Sequence, residues 1–277
     1  MKLDHLPEEC IAHVLSLTSP RDVCKSSLVS SVVHDAAESD LLWGNFLPSD
    51  YQEILPRLAA PVIFSSKKEL FRKLCNPILI DGGKKTFSLD RLTSKKCYMI
   101  SAKELSITWA NNSLYWCWKP VIHSRFDEVA ELIIICWLEI HGKMNTRMLS
   151  PNTTYGAYLI IKFADRAVGL DSIPSEVSVE VGNYQSRGTV YLRRPKDRKQ
   201  PLEGIYIQRR IEALGSSVLK AEERVPCERE DGWLEVELGE FYNDGSDKEV
   251  KMGLKEVKGE HLKGGLVVEG IELRPKY

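Results

Sequence analysis

Along the first 75 or so residues, large apolar side chains recur at helical spacing, and the breaks between them carry helix-start chemistry. Pro7 stands where a first helical turn tolerates proline, Glu8 and Glu9 follow where the helix dipole favours acids, and Ile11, Val14 and Leu15 fall on one face. A second helix opens on Ser19 as cap, Pro20 in the first turn and Asp22 behind it, with Val23, Ser27 and Leu28 following. Val32 to Ala37 predicts a third short helix, and Ser39-Asp40 introduces a fourth apolar group, Leu41, Leu42, Trp43 and Phe46. Pro48, Pro56 and Pro61 interrupt the next stretch; Ser65-Ser66 then caps a basic amphipathic helix, Lys67 to Leu74, closed by Asn76-Pro77.

From Ile78 the period changes from 3.6 to 2. Ile78 to Ile80, the turn Asp81-Gly82-Gly83, and Thr86 to Leu89 predict a hairpin. Strands are expected over Cys97 to Trp109, Leu132 to His141, Thr154 to Phe163, Glu176 to Val181, Gly188 to Leu192, Trp233 to Phe241, Lys248 to Leu254 and Leu266 to Leu273. Between them, Lys196 to Glu230 reads as a long loop, and the basic group Arg193, Arg194, Lys196, Arg198 and Lys199 as a solvated strand edge. The pattern predicts an α+β multidomain chain: short helices over 1–48, a helical and hairpin connector over 49–98, and an antiparallel β-sandwich, jelly-roll-like, over 99–277.

Composition narrows the function. With Lys+Arg 38 against Asp+Glu 39, the formal charge of -1 offers no overall pull toward nucleic acid or anionic lipid. The longest apolar run, Leu132 to Leu138, is far short of a bilayer crossing, and the opening MKLDHLPEEC has no secretory pattern; a soluble chain is expected. Seven cysteines (Cys10, Cys24, Cys75, Cys97, Cys117, Cys136, Cys227) are scattered, with no C-x-x-C and no zinc spacing, so they are expected to be small buried apolar residues in a reducing compartment, with no metal or other cofactor.

The order Leu6-Pro7-Glu8-Glu9-Cys10-Ile11, Val14-Leu15, Pro20-Arg21-Asp22-Val23, Ser27-Leu28-Val29-Ser30, then Ala36, Asp40, Trp43 and Phe46 resembles the F-box family over residues 3 to about 48. Each residue alone reads as the core of a small bundle. Together they supply more apolar surface than such short helices can bury among themselves, so a partner must cover part of it. The resemblance implies that the partner is a Skp-type adaptor within a cullin-based ubiquitin ligase, and it assigns Leu6, Pro7, Ile11, Val14, Leu15 and Leu28 to the adaptor-binding surface.

Further on, SAKELSITW and YWCW put Trp109, Tyr115, Trp116 and Trp118 around an Asn111-Asn112 turn. Core filling explains some of these; indole planes with nearby carboxylates also suit a sugar, which has an apolar face and a hydroxyl rim. These segments, with EVAELIIICWLEIHGKM, EDGWLEVELGEFYND, EVKMGLKEV and GGLVVEGIELRP, resemble the tobacco agglutinin Nictaba and the phloem protein two lectins over residues 100 to 277. The resemblance implies binding of N-acetylglucosamine-containing glycans through Trp109, Trp116, Glu249 and Glu256, in a plant protein of the cytoplasm and nucleus whose targets are glycoproteins or proteins.

Glu249 and Glu256 also admit a glycosidase reading, as acid and nucleophile. Seven positions along an extended or turning chain fix no carboxyl separation, and nothing nearby holds one of them protonated. With no G-x-S-x-G, phosphate loop, H-E-x-x-H or Cys-His pair, no catalytic residue is expected. A protein-binding receptor with a vestigial sugar pocket and a free nucleocytoplasmic lectin remain as alternatives.

Overall fold

In a computed structural model, described over residues 6–195, 224–259 and 261–277, the chain folds as a helical N-terminal part on a two-sheet antiparallel sandwich. The helices are α1 (Glu8–Ser16), α2 (Pro20–Ser26), α3 (Ser31–Glu38), α4 (Asp40–Phe46), α5 (Tyr51–Ile54) and α6 (Lys67–Leu74). The serines expected to cap do so: Ser19, Ser30 and Ser66 hydroxyls accept from the amides of Asp22, Val33 and Glu69 at 3.1, 3.3 and 3.2 Å. Trp43 joins α4 to α6, its ring 5.3 Å from Phe71 and its indole N–H donating to the Ala37 carbonyl at 2.7 Å.

The strands are β1 (Ile78–Ile80), β2 (Lys85–Leu89), β3 (Lys96–Ser101), β4 (Ser106–Ile107), β5 (Trp116–Lys119), β6 (Val129–Leu132), β7 (Leu138–Asn145), β8 (Thr153–Val168), β9 (Ser175–Val181), β10 (Tyr184–Val190), β11 (Cys227–Glu228), β12 (Leu234–Asn243), β13 (Glu249–Glu256) and β14 (Gly264–Pro275). Nine form one sheet, in the order β1-β2-β3-β14-β8-β12-β11 with β6 beside β14 and β5 beside β6; the other sheet runs β10-β9-β13-β7-β4. The hairpin at 78–89 therefore belongs to the larger sheet, and its core is continuous with that of the helices: Phe87 and Ile80 join Trp43, Phe71 and Leu74 in one cluster with the sandwich interior. Arg57 clamps this junction with two hydrogen bonds to Asp81, at 2.9 and 3.0 Å.

Three expectations change. Cys97 to Trp109 is not one strand: a 3-10 turn at Ala102–Glu104 carries the chain from β3 in the larger sheet to β4 in the smaller. Leu132 to His141 breaks likewise, because β6 and β7 lie in different sheets; the crossing is pinned by Ile135 and Lys263, which exchange backbone hydrogen bonds of 2.8 and 2.7 Å. Within it, Leu132, Ile135, Leu138 and Ile140 are buried, whereas Ile133, Ile134, Cys136 and Trp137 of the crossing are exposed. The cysteines are not buried core residues: Cys10, Cys24, Cys117, Cys136 and Cys227 are exposed, and Cys75 and Cys97 are partly buried. Most of Lys196 to Glu230, with Lys196, Arg198 and Lys199, lies outside the described residues.

Register is strict where the sheets face each other. On β14, Glu269 sits at a bulge between Val268 and Gly270, and a Cβ on Gly270 would stand 2.0 Å from the Ile100 carbonyl oxygen, so only glycine lets β3 and β14 close up there. No described helix is long and apolar enough to cross a membrane.

Candidate functional site

The N-terminal helices divide their apolar residues between the chain's own core and solvent. Ile11 and Leu15, expected on the adaptor surface, instead face inward from α1 and are buried with Val23, Val33, Leu42 and Trp43. Leu6 is half-buried against the same core, and Pro7 is exposed. Val14 and Leu28 are exposed as expected, Leu28 at 86%. Leu17, Val29 and Leu41, none of them among the six residues that the resemblance assigns to the adaptor surface, join them; Val29 is 75% exposed in the turn between α2 and α3. The core is filled by the inward residues of the short helices, while Val14 on α1, Leu17 just after it, Leu28 and Val29 in the turn after α2, and Leu41 on α4 stay uncovered.

The four residues expected to hold a sugar do not line one cleft. Trp116 is only 2% exposed; its side chain faces the core from β5 and its indole N–H donates to the Thr108 carbonyl at 3.0 Å. Trp118 does the same to the Ala110 carbonyl at 3.3 Å. These two bonds bracket Trp109, which is held at φ +58°, a conformation that side chains adopt only when their surroundings enforce it. The Asn112 side chain accepts from the Leu114 amide and its own amide donates to the Trp109 carbonyl, which completes the loop. Trp109 is 49% exposed and lies on Tyr115, ring centres 5.1 Å apart at 35°. Of the pair of tryptophans, Trp109 offers a face and Trp116 is the clamp that presents it.

Glu249 and Glu256 begin and end β13, so they stand about 23 Å apart at roughly 3.3 Å per residue and, being seven apart, point to opposite sides of the sheet. Val250, Met252 and Leu254 fill the core, which makes Glu256 inward and Glu249 outward. Glu256 is 4% exposed and ion-paired with buried Lys263, whose ammonium also donates to the Cys136 carbonyl at 2.7 Å. Burial lowers the Lys263 pKa from its ordinary value. Glu249 is exposed beside Lys143, 3.7 Å away. The two carboxylates therefore share no ligand, and the glycosidase reading finds no paired acids in them.

A different group does assemble on the outer face of the smaller sheet. Trp137, Glu139 and His141 alternate outward on or beside β7: the Trp137 indole donates to one carboxylate oxygen of Glu139 at 3.2 Å, and the His141 Nε2 lies 2.8 Å from the other. Those hydrogen bonds, His141 first and Trp137 second, hold the Glu139 carboxyl below its ordinary pKa. His141 lies over Gly253 of β13, where a Cβ would come within 2.4 Å of its Nδ1. The Thr108 amide donates to the Glu139 carbonyl at 3.0 Å, which brings the Trp109 loop to this same edge. The alternation W-L-E-I-H carries the signal for this group, since apolar Leu138 and Ile140 mark the inward parity. Among the described residues no His, Cys, Asp and Glu side chains gather as a metal site.

Comparison with known proteins gives two family matches, phloem protein 2 over residues 95–275 and F-box-like over residues 3–48. The chain is similar along its length to three proteins of Arabidopsis thaliana. F-box protein PP2-B15 is 48% identical over 278 residues, covering 98% of this chain and 96% of that one. F-box protein PP2-B13 is 46% identical over 98% of both chains. F-box protein VBF is 46% identical over 98% of this chain and 99% of its own.

Proposed function

Since the chain belongs to the F-box group of the phloem protein 2 family, we propose that it is the substrate-recognition subunit of a cullin-based ubiquitin ligase, docking a Skp-type adaptor through α1–α4 and capturing glycoprotein targets through the sandwich. The observation that carries the adaptor half is the exposure of five large apolar side chains, Val14, Leu17, Leu28, Val29 and Leu41, on short helices and their turns whose inward residues already fill the core. Short helices with spaced apolar anchors bind by laying those anchors in a partner's groove. The chain itself performs no chemistry in this reading; ubiquitin transfer belongs to its partners. Five exposed thiols suit a reducing compartment, the cytoplasm and nucleus.

For the capture half, the support is Trp109, a half-exposed indole locked in a left-handed backbone conformation by two tryptophan hydrogen bonds. A pre-formed aromatic plane at a polar sheet edge stacks on the C–H face of a pyranose without an ordering cost. A second reading, a receptor for polypeptide surfaces, draws on burial of Trp116 and Glu256 and on exposed Ile133 and Ile134 beside the same loop. Co-purification with a Skp-type adaptor tests the ligase half, and a glycan array probed with wild type and Trp109→Ala tests the capture half. Adaptor binding together with array signal that disappears in Trp109→Ala is the expected result. A chain that retains the array signal but no adaptor is a lectin outside any ligase.

A further inference from the structure

A cavity of about 390 Å³ opens where the helical part meets the sandwich, walled by α2, α4, α6 and the turn that follows β2. In a chain whose formal charge is -1, its lining carries Arg21, Lys68, Arg72 and Arg91 and no carboxylate. The nearby acids are engaged elsewhere. Glu38 pairs with Lys68, Glu69 pairs with Lys73 at 2.8 Å, and Asp90 accepts from the amides of Leu92 and Thr93 at 3.1 and 2.8 Å. Arg91 donates to the neutral Asn76 side chain at 3.0 Å, and the side chains of Arg21 and Arg72 have no ion pair or hydrogen bond among the described residues. Three guanidinium charges therefore line one opening without a counter-charge, and like charges so placed repel. The floor is apolar: Pro20, Trp43 and Phe71, all buried, with the Lys68 ammonium 5.5 Å over the Trp43 ring. Burial pushes the thiol of Cys75, also in the lining, up to about 11, so that wall is neutral at pH 7.

We infer that this cavity binds a small aromatic phosphate, its phosphoryl group among the guanidinium groups and its ring on the apolar floor. Guanidinium forks match phosphate oxygens two at a time. A phosphate monoester carries about −1.5 to −2 charges at pH 7, which offsets more of the three guanidinium charges than one carboxylate does. An aromatic ring meets the edges of Trp43 and Phe71 in a favoured edge-to-face manner, and arginine planes stack on aromatic faces. The volume lies near the small end of the range for ligand sites, about 300–1,000 Å³, which suits one or two rings with a phosphate. Because α2 and α4 belong to the F-box-like helices and Arg91 to the larger sheet's β2–β3 turn, a bound ligand ties the helices to the sandwich. It stabilises that junction by mass action.

Calorimetric titration and thermal melting of the full chain with naphthyl phosphate test this, with inorganic phosphate and naphthol as the separate halves of the probe. Naphthyl phosphate is expected to bind about tenfold or more tighter than either half. It should also raise the melting temperature, and its affinity should fall as salt is added. Arg21→Gln combined with Arg72→Gln changes two exposed side chains and should weaken binding by about tenfold or more. The ligand-free melting temperature of that variant should hold or rise, because repulsion is relieved. Cys24→Trp fills the opening from α2 without altering charge and should remove binding. Circular dichroism confirms that both variants fold. Folded wild type that does not bind naphthyl phosphate, or binding untouched in both variants, overturns the site. Inorganic phosphate bound as tightly as naphthyl phosphate overturns the role of the floor and with it the aromatic ligand. A phosphotyrosine peptide bound about tenfold or more tighter than naphthyl phosphate overturns the small ligand and makes the cavity a docking site for a phosphorylated protein.

Discussion

The indole N–H of Trp116 donates to the backbone carbonyl of Thr108 at 3.0 Å, and that bond sets the exposed ring of Trp109, one residue on, in its left-handed conformation. A buried tryptophan thus helps to hold the loop that presents Trp109. Trp116→Phe keeps most of the buried area and removes the donor. It is expected to cost about 1–2 kcal/mol of stability by denaturant unfolding, the price of one buried acceptor left unpaired, and to weaken glycan binding as strongly as Trp109→Ala. Binding equal to wild type in Trp116→Phe would show that Trp109 is set by the rest of its loop.

Inward and outward apolar residues of the N-terminal helical part should separate stability from adaptor docking. Leu28→Asp combined with Val29→Asp changes residues that are 86% and 75% exposed, so the melting temperature should hold, surface changes of this kind being worth about ±0.5 kcal/mol. Adaptor pull-down should be lost. Ile11→Ala reverses the pattern: it opens a cavity beside Val33 and Leu42 and is expected to cost about 2–5 kcal/mol, while residual folded protein still binds the adaptor.

What the sequence made legible follows from how local its causes are. Ser19, Ser30 and Ser66 cap the helices they precede because capping needs only the next three residues. Most strand positions are readable from alternation, though not the sheet changes inside Cys97 to Trp109 and Leu132 to His141, and the run Leu6 to Phe46 marks the F-box-like segment. The four residues expected to hold a sugar come apart where placement depends on which side of a strand faces the opposite sheet. Val250, Met252 and Leu254 carry that parity and place Glu256 inside, against what the resemblance to lectins implies. Burial of Trp116 left no such local mark, since β5 is four residues long and its inward side is chosen by β6 and β14. Trp137 was hidden in an apolar run that changes sheets.

Acid should loosen the seam between the helical part and the sandwich. Hydrogen bonds from Arg57, and then Lys85, hold the Asp81 carboxyl below its ordinary pKa, with desolvation opposing them. A depressed folded pKa means that the unfolded chain binds the proton more readily. The stabilisation is therefore complete above the ordinary carboxylate value near about 3.9 and is lost as pH falls through the lower folded value. Both partners are partly exposed, so water screens the pair to about 1 kcal/mol. Asp81→Asn should be less stable than wild type by that amount at pH 7, with the gap closing toward pH 2 in urea titrations.

The Glu256–Lys263 pair distinguishes a structural carboxylate from a sugar-binding one. Both side chains are buried at the end of β13, and the ammonium is also held by the carbonyls of Cys136 and His261, at 2.7 and 3.2 Å. Removing one charge strands the other in a site where burial already lowers the Lys263 pKa, so Glu256→Gln is expected to cost about 3–5 kcal/mol. Replacing both, Glu256→Met with Lys263→Met, leaves no orphan charge and should recover most of that loss, because a buried pair is offset by its own desolvation. Its sugar affinity should match wild type, since Glu256 points into the core, away from the outer face that carries Glu139. A doubly substituted protein that folds and melts like wild type but has lost chito-oligomer binding would return Glu256 to the ligand site and require β13 to turn its inner face outward on binding.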